Sequence, residues 1–244
     1  MTRDARSHGW TSVAARGALG GLLLATALLT TPSQSYAQTE SDFAIWTAAF
    51  ATAQIFREAP SPTLWLDVHA RRSDPGTLLI LRPGVGYAFT PWGSIWVGYD
   101  WVPSWVDATG ERVDTQGIWE QLTFDYAPRR LTFQSRTRFE QDWSDAGSGM
   151  RARLRQFVRT NVKPSESVPL GIALWDEVFF GLNSPEWTHS GFLENRVFAG
   201  LAIFANRFCR VEPGYMFVNV KRPDNSVLLS QIFAVNFFVY YRPE

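Results

Sequence analysis

From Leu131 to Arg159 the chain alternates. Leu131, Phe133, Phe139 and Trp143 fall on one set of alternate positions, and Thr132, Gln134, Arg136, Arg138, Glu140 and Asp142 on the other. After the run Ser144-Asp145-Ala146-Gly147-Ser148-Gly149, Arg151, Arg153 and Arg155 alternate with Ala152, Leu154 and Gln156. Successive side chains on a strand point to opposite faces. The pattern therefore predicts a β-hairpin with one apolar and one charged face, closed by a Gly/Ser/Asp loop.

The same rhythm recurs along the chain. Leu64, Leu66 and Val68 alternate with Trp65, Asp67, His69 and Arg71, and Leu79, Leu81, Val85, Tyr87 and Phe89 with Arg82, Gly84, Gly86 and Ala88. Pro83 removes a backbone donor and suggests a bulge. Ile95, Val97, Tyr99 and Trp101 oppose Ser94, Trp96, Gly98 and Asp100, and 103–117 reads as an exposed polar loop. Further strands follow at Ile118–Tyr126, Pro169–Leu182, Phe192–Phe204, Phe208–Val220 and Ser226–Tyr241. In them Glu177, Glu194, Arg196, Arg210 and Glu212 share the charged face. With 42–57 as the first, this makes about eleven strands, each near the length of roughly 9–11 residues that a tilted membrane strand needs.

Bacterial membrane barrels usually have an even strand number. Counted back from the C-terminus, the longer connections at 103–117, 143–149 and 183–190 share one side, and so does the start of the first strand. An additional strand near the N-terminus would restore parity. The prediction is an all-β, antiparallel up-and-down transmembrane β-barrel of about 12 strands (10–12), formed by residues 38–244.

No later window offers a helical span, and in lipid the alternative to helices is a closed barrel. The N-terminus carries an export signal. Arg3, Arg6 and Arg16 precede an apolar run from Ala18 to Leu29, and Ser35 and Ala37 suit a cleavage site. Residues 1–37 are expected to be a cleaved signal peptide, and the mature chain to reside in the outer membrane of a Gram-negative bacterium. Trp92, Trp101, Trp105, Trp119, Tyr126, Trp143, Trp187, Tyr240 and Tyr241 lie near strand ends, where amphipathic rings suit a lipid–water boundary.

Charge narrows the function. The formal net charge is zero, which argues against a nucleic-acid binder. Lys163 and Lys221 are the lysines among 23 cations. Arginine is the better residue for enclosed ion pairs, because its planar fork meets carboxylates bidentately. The predicted lumen-lining cluster is Arg136, Arg138, Glu140, Arg151, Arg153, Arg155, Glu177, Glu194, Arg196, Arg210 and Glu212. It reads as a structural salt-bridge ladder, or as an anion site or selective pore built on the arginines at 136, 138, 151, 153 and 155.

The lone Cys209 excludes an intrachain disulfide and a cysteine metal cluster, and no metal or other cofactor is expected. There is no HExxH, P-loop or GxSxG sequence. A membrane-embedded hydrolase using His69 or His189 has no support from spacing, so the chain is not expected to be an enzyme.

The segments around 119–126, LTFQSRTRFEQDW from Leu131, RARLRQF from Arg151, DEVFFGLN from Asp176, FLENRVFAGL from Phe192 and EPGYMF from Glu212 resemble the exported barrel family known as domain of unknown function 2490. So do LRPGVGYAFT and WVGYDWVP. The resemblance covers about 44–241 and implies an outer-membrane or periplasm-facing β-barrel without an assigned activity, ligand or catalytic residue. Arg242-Pro243-Glu244 follow Tyr241, whereas outer-membrane barrels often end on an aromatic residue. The expected partners are outer-membrane lipid and the barrel assembly machinery. The expected role is structural or that of a narrow pore. The alternative is a soluble periplasmic, lipocalin-like barrel for an apolar ligand, with the two faces inverted.

Overall fold

The computed structural model describes residues 39–73, 76–222, 224 and 226–243. The expected signal peptide at 1–37 and the tips of two predicted turns, at 74–75 and at 223 and 225, lie outside the described residues.

Period-two alternation produces eleven strands: β1 (Thr39–Gln54), β2 (Ser61–Ser73), β3 (Gly76–Thr90), β4 (Gly93–Val106), β5 (Arg112–Tyr126), β6 (Leu131–Ser144), β7 (Arg151–Val162), β8 (Leu170–Gly181), β9 (Gly191–Phe204), β10 (Cys209–Lys221) and β11 (Val227–Tyr241). Each pairs with its sequence neighbours in antiparallel fashion, and β1 pairs with β11 to close the barrel. That last seam is parallel, in one register from Thr39↔Val227 to Ala53↔Tyr241.

Of the expected range of 10–12 strands, with twelve favoured, the barrel has eleven. An odd strand count makes the first and last strands run the same way, and here they pair directly along fifteen positions. Among the described residues, the N-terminal stretch forms the single strand β1. The start of β1 and the end of β11 lie at opposite ends of the barrel, called below the N-terminal and C-terminal ends.

Two further expectations are corrected. The region 103–117 is mostly strand, because β4 and β5 continue to Val106 and from Arg112, leaving a five-residue loop. Pro83 causes no bulge. The β3–β4 ladder keeps one register through it, and the irregularities fall at Ala88/Thr90 and Phe179/Phe180. The second of these turns Leu193 inward, where it is buried.

The two faces divide as the alternation predicts. Leu64, Leu66 and Val68 are exposed on the outside, whereas Trp65 and Asp67 are buried within. The outer wall is apolar on every strand for which side chains are described. Polar side chains interrupt it in places. Glu120 on β5 is exposed between Val97 and Phe139 of the neighbouring strands. The Tyr99 and Tyr215 hydroxyls donate to Gln116 and Gln231, and a larger patch lies on β6–β9. There Ser135, Thr137, Gln156, Asp176 and Asn195 face outward. They satisfy one another, with Thr137 donating to Gln156 at 2.6 Å, Gln156 to Ser135 at 3.1 Å and Asn195 to the Asp176 carboxylate at 3.0 Å.

Trp119 lies wholly inside the barrel rather than in a boundary belt. Space for it comes from glycines facing each other on neighbouring strands. Gly84 pairs with Gly98, and Gly98 with Trp119. A Cβ on Gly98 would stand 2.2 Å from Trp119 Cζ2 and 2.5 Å from the Pro83 carbonyl oxygen. The paired glycines thus form a flat bed on which the indole lies, and its Nε1 donates to the Tyr99 carbonyl at 3.2 Å. Gly200 and Gly214 repeat the arrangement beneath Phe198. Gly98→Leu is expected to destabilise the barrel by about 1–3 kcal/mol through overpacking, read as a lower midpoint of urea unfolding. An unchanged midpoint would show that the Trp119 bed can yield.

At the N-terminal end the 182–190 connection folds over the 145–150 loop. The Ser148 N–H donates to the Glu186 carboxylate at 3.0 Å, which holds that carboxyl below its usual range. Trp187 Nε1 donates to the Gly149 carbonyl at 3.0 Å, and the Arg151 guanidinium stacks on the Trp187 ring.

Candidate functional site

The eleven residues of the predicted charged cluster all point into the barrel, on β6–β10. Register brings them together. Arg138 stands directly opposite Arg155, Glu140 opposite Arg153, and Asp142 opposite Arg151 across β6–β7. Glu177 pairs with Phe157 on one side and Arg196 on the other. Like charges directly opposite repel. Arg153 and Arg151 therefore bond straight across to Glu140 and Asp142, whereas Arg155, opposite Arg138, reaches diagonally to Glu140 and Glu177.

Glu140 is the hub and is fully buried. It accepts from Arg153 Nε at 2.8 Å, from Arg153 Nη2, and from Arg155 Nη1 at 2.5 Å. The other edge of Arg155 donates to Glu177 at 2.8 and 3.2 Å. Glu177 Oε1 also takes Arg136 at 2.8 Å, and its Oε2 lies 3.8 Å from Arg196. Arg196 donates to Glu194 at 2.5 Å. Asp142 holds Arg151 at 2.6 Å.

The network then crosses the lumen. Arg138 lies 3.8 Å from Glu140 and 3.9 Å from Asp67 on β2, and it donates to Gln121 at 2.8 Å while stacking on Trp119. Arg82 joins Asp67 to Asp100, at 3.8 and 3.3 Å. One connected ion-pair web thus spans β2–β4 and β6–β9, from mid-height to the N-terminal end. Arg210 and Glu212 do not belong to it. They form a separate pair at 2.7 Å, nearer the C-terminal end, where Asn161 donates to Glu212 at 2.7 Å.

Burying an ion costs several kcal/mol unless opposite charge and hydrogen bonds compensate. Here each carboxylate of the web faces at least one guanidinium. The five arginines singled out as a possible anion site each face a carboxylate, Arg138 at 3.8 and 3.9 Å and with Gln121 as its hydrogen-bond partner.

Below the web, toward the C-terminal end, the interior opens into a chamber of about 410 Å³. Rings make up much of its wall: Phe50, Trp65, Trp96, Phe157, Trp175 and Phe238. Its mouth is framed by Gln54, Trp92, Ala127 and Tyr241. Tyr240, expected in a boundary belt, instead points inward. Its hydroxyl accepts from Arg210 at 2.8 Å and from Arg159 at 3.3 Å.

Asp142 and Arg159 were missing from the predicted cluster although they continue its alternation, the even positions of β6 and the odd positions of β7. His69, considered for hydrolysis, lies 3.4 Å from Asp67 and edge-on to Phe50. His189 faces the Phe192 carbonyl in the 182–190 connection. The two rings belong to different parts of the barrel.

A family model described as "Protein of unknown function (DUF2490)" matches residues 43–228. The chain is also similar to the uncharacterized protein MexAM1_META1p0181 of Methylorubrum extorquens. The two are 27% identical over 229 residues, which cover 90% of this chain and 97% of that protein. No solved structure matches the chain.

Proposed function

We propose that this chain, which belongs to the DUF2490 family, is a structural β-barrel of the bacterial outer membrane whose lumen is closed by its own ion pairs. One observation supports this reading: the division of side chains between the two faces is the one expected of a barrel in lipid. Ile45, Val85, Ile95, Ile172, Leu201 and Phe217 are about half exposed on the outer wall, while Arg138, Glu140, Asp142 and Glu212 are almost wholly enclosed. A soluble ligand-carrying barrel requires the opposite arrangement, with apolar residues inside and charges in water.

Three further features support the reading. Trp92, Tyr126 and Tyr241 are exposed toward the C-terminal end and Trp101 and Trp143 toward the other, as two interfacial girdles would be. The polar patch on β6–β9 pairs its own donors and acceptors, which limits its cost in an apolar surrounding. The closed seam leaves no strand edge unpaired.

In this reading the C-terminal end faces the periplasm and the clasped 145–150 and 182–190 segments face outward. The ion-pair web makes the barrel a closed wall rather than an open pore. The test has two parts. The mature chain should require detergent for extraction and migrate differently on gels before and after heating. Reconstituted in planar bilayers, it should give no steady single-channel conductance. Recovery of the folded chain in the aqueous fraction without detergent would sink the membrane assignment. Regular conductance steps would sink the closed lumen.

A further inference from the structure

We infer that the C-terminal chamber is a binding site for a small amphipathic anion: a carboxylate on an aromatic or short aliphatic body, with Arg71 as its anchor. The inference does not depend on where the barrel resides, because it concerns only the barrel's interior.

The chamber differs from the web above it in its charge balance. Among the described residues, eight arginines line it against three carboxylates, Asp67, Asp125 and Glu177. Part of that excess is answered from behind the wall. Glu140 engages Arg155, Glu194 engages Arg196 and Glu212 engages Arg210. Arg71 and Arg159 have no carboxylate within 4.0 Å among the described residues. Arg159 is nonetheless satisfied, donating to Gln134 at 3.1 Å and to Tyr240.

Arg71 is not satisfied. Its guanidinium lies 4.0 Å above the Trp46 ring, its Nη2 reaches only His69 Nδ1 at 3.5 Å, and its Nε has no partner. It lines the inner part of the chamber on β2, where Arg82, Arg155 and Arg196 add positive potential and Glu194, beyond salt-bridge distance, offsets part of it. A cation enclosed this way calls for an anion.

Further donors without partners line the chamber toward its mouth. Trp65 Nε1 and Asn236 Nδ2 are buried and without a partner, and so is the Thr63 hydroxyl. Asp67 Oδ1 and His69 Nε2 also lack an ideal hydrogen bond, but they face each other at 3.4 Å. The excess therefore lies with donors. Between Arg71 and the mouth stand Phe50, stacked 5.0 Å from Phe238, and Trp65, edge-on to Trp96. Rings of this kind take up a flat or thin apolar body. A volume of about 410 Å³ falls within the roughly 300–1,000 Å³ of small-molecule sites.

The test uses 2-naphthoate as the probe, titrated into the folded full barrel in a non-ionic detergent and followed calorimetrically against a detergent blank. Saturable binding at one site per chain is expected. It should weaken by about tenfold for Arg71→Gln, as loss of one charge-assisted contact predicts, and by a similar factor for the uncharged 2-naphthalenemethanol. Arg72→Gln, next in sequence but outside the barrel, should leave it unchanged. If Arg71→Gln does not fold, Trp65→Phe serves in its place: it keeps a ring, removes the N–H and should weaken binding about threefold or more. No saturable binding, equal affinity for the alcohol, or full affinity in the folded variants would overturn the proposal.

Discussion

Glu140→Gln lowers the unfolding free energy of the barrel by about 3–5 kcal/mol, the usual consequence of removing one partner from an enclosed ion pair. The argument rests on geometry. The Glu140 carboxylate is fully buried and receives Arg153 and Arg155, with Arg138 3.8 Å away. An amide at this position keeps the shape but removes the charge that balances them. Arg155 retains Glu177, whereas Arg153 keeps only Asp142, at 3.8 Å. The freed charge then sits on a side chain that is 13% exposed. By contrast, removing the exposed Asp107 beneath Arg72 should cost about 1 kcal/mol or less. Arg153→Met in the Glu140→Gln background should recover part of the loss, because it removes a stranded charge. Equilibrium urea unfolding of the wild type and these three variants measures all of this. A cost below about 1 kcal/mol for Glu140→Gln would mean that water screens the web, and the closed lumen would fall with it.

The face assignment behind that prediction was legible in the sequence because it is a local property. On β2, Leu64-Trp65-Leu66-Asp67-Val68-His69 declares its two sides by alternation alone, and the structure exposes the leucines and buries Trp65 and Asp67. The same holds for Arg136, Arg138 and Glu140 on β6. Properties that depend on distant strands were not legible. The strand number followed from how β1 meets β11, nearly two hundred residues apart, and a local period says nothing about whether closure is parallel. Trp119 sits near a strand start like a boundary residue, yet it is interior because Gly84 and Gly98, on two preceding strands, leave a bed for it. The extension of β4 and β5 through 103–117 was hidden by Pro103 and by polar residues, although the ladder pairs Pro103 with Asp114 and Trp105 with Arg112.

The division of labour among the arginines was likewise a matter of register. In sequence, Arg71 and Arg155 are equivalent members of a charged face. Only strand pairing reveals that Arg155 lies between Glu140 and Glu177, while Arg71 pairs with Trp46 on one side and Leu78 on the other. That difference separates a wall of satisfied ion pairs from a chamber with an unsatisfied cation. The two features share one interior.

Phe233→Arg should cost about 2–4 kcal/mol when the barrel is refolded into phospholipid vesicles, the range for a cation facing hydrocarbon at mid-bilayer. Phe233 lies at the middle of β11 and is 45% exposed on the outer wall. Its cross-strand neighbours are Ile45 on β1 and Tyr215 on β10. Neither offers a carboxylate with which an introduced guanidinium could pair. The position therefore reports what surrounds the wall. In water the same change belongs to the class of surface substitutions that alter stability by no more than about 0.5 kcal/mol. Phe233→Leu serves as the reference, since it removes the ring without adding charge. The quantity to compare is the difference between the arginine and leucine variants in vesicles. A gap above about 2 kcal/mol is expected; a gap near zero would place water, not lipid, against the seam between β1 and β11. Because this wall is apolar on both sides of Phe233, the result bears on the membrane assignment independently of the lumen, the ion-pair web or the chamber.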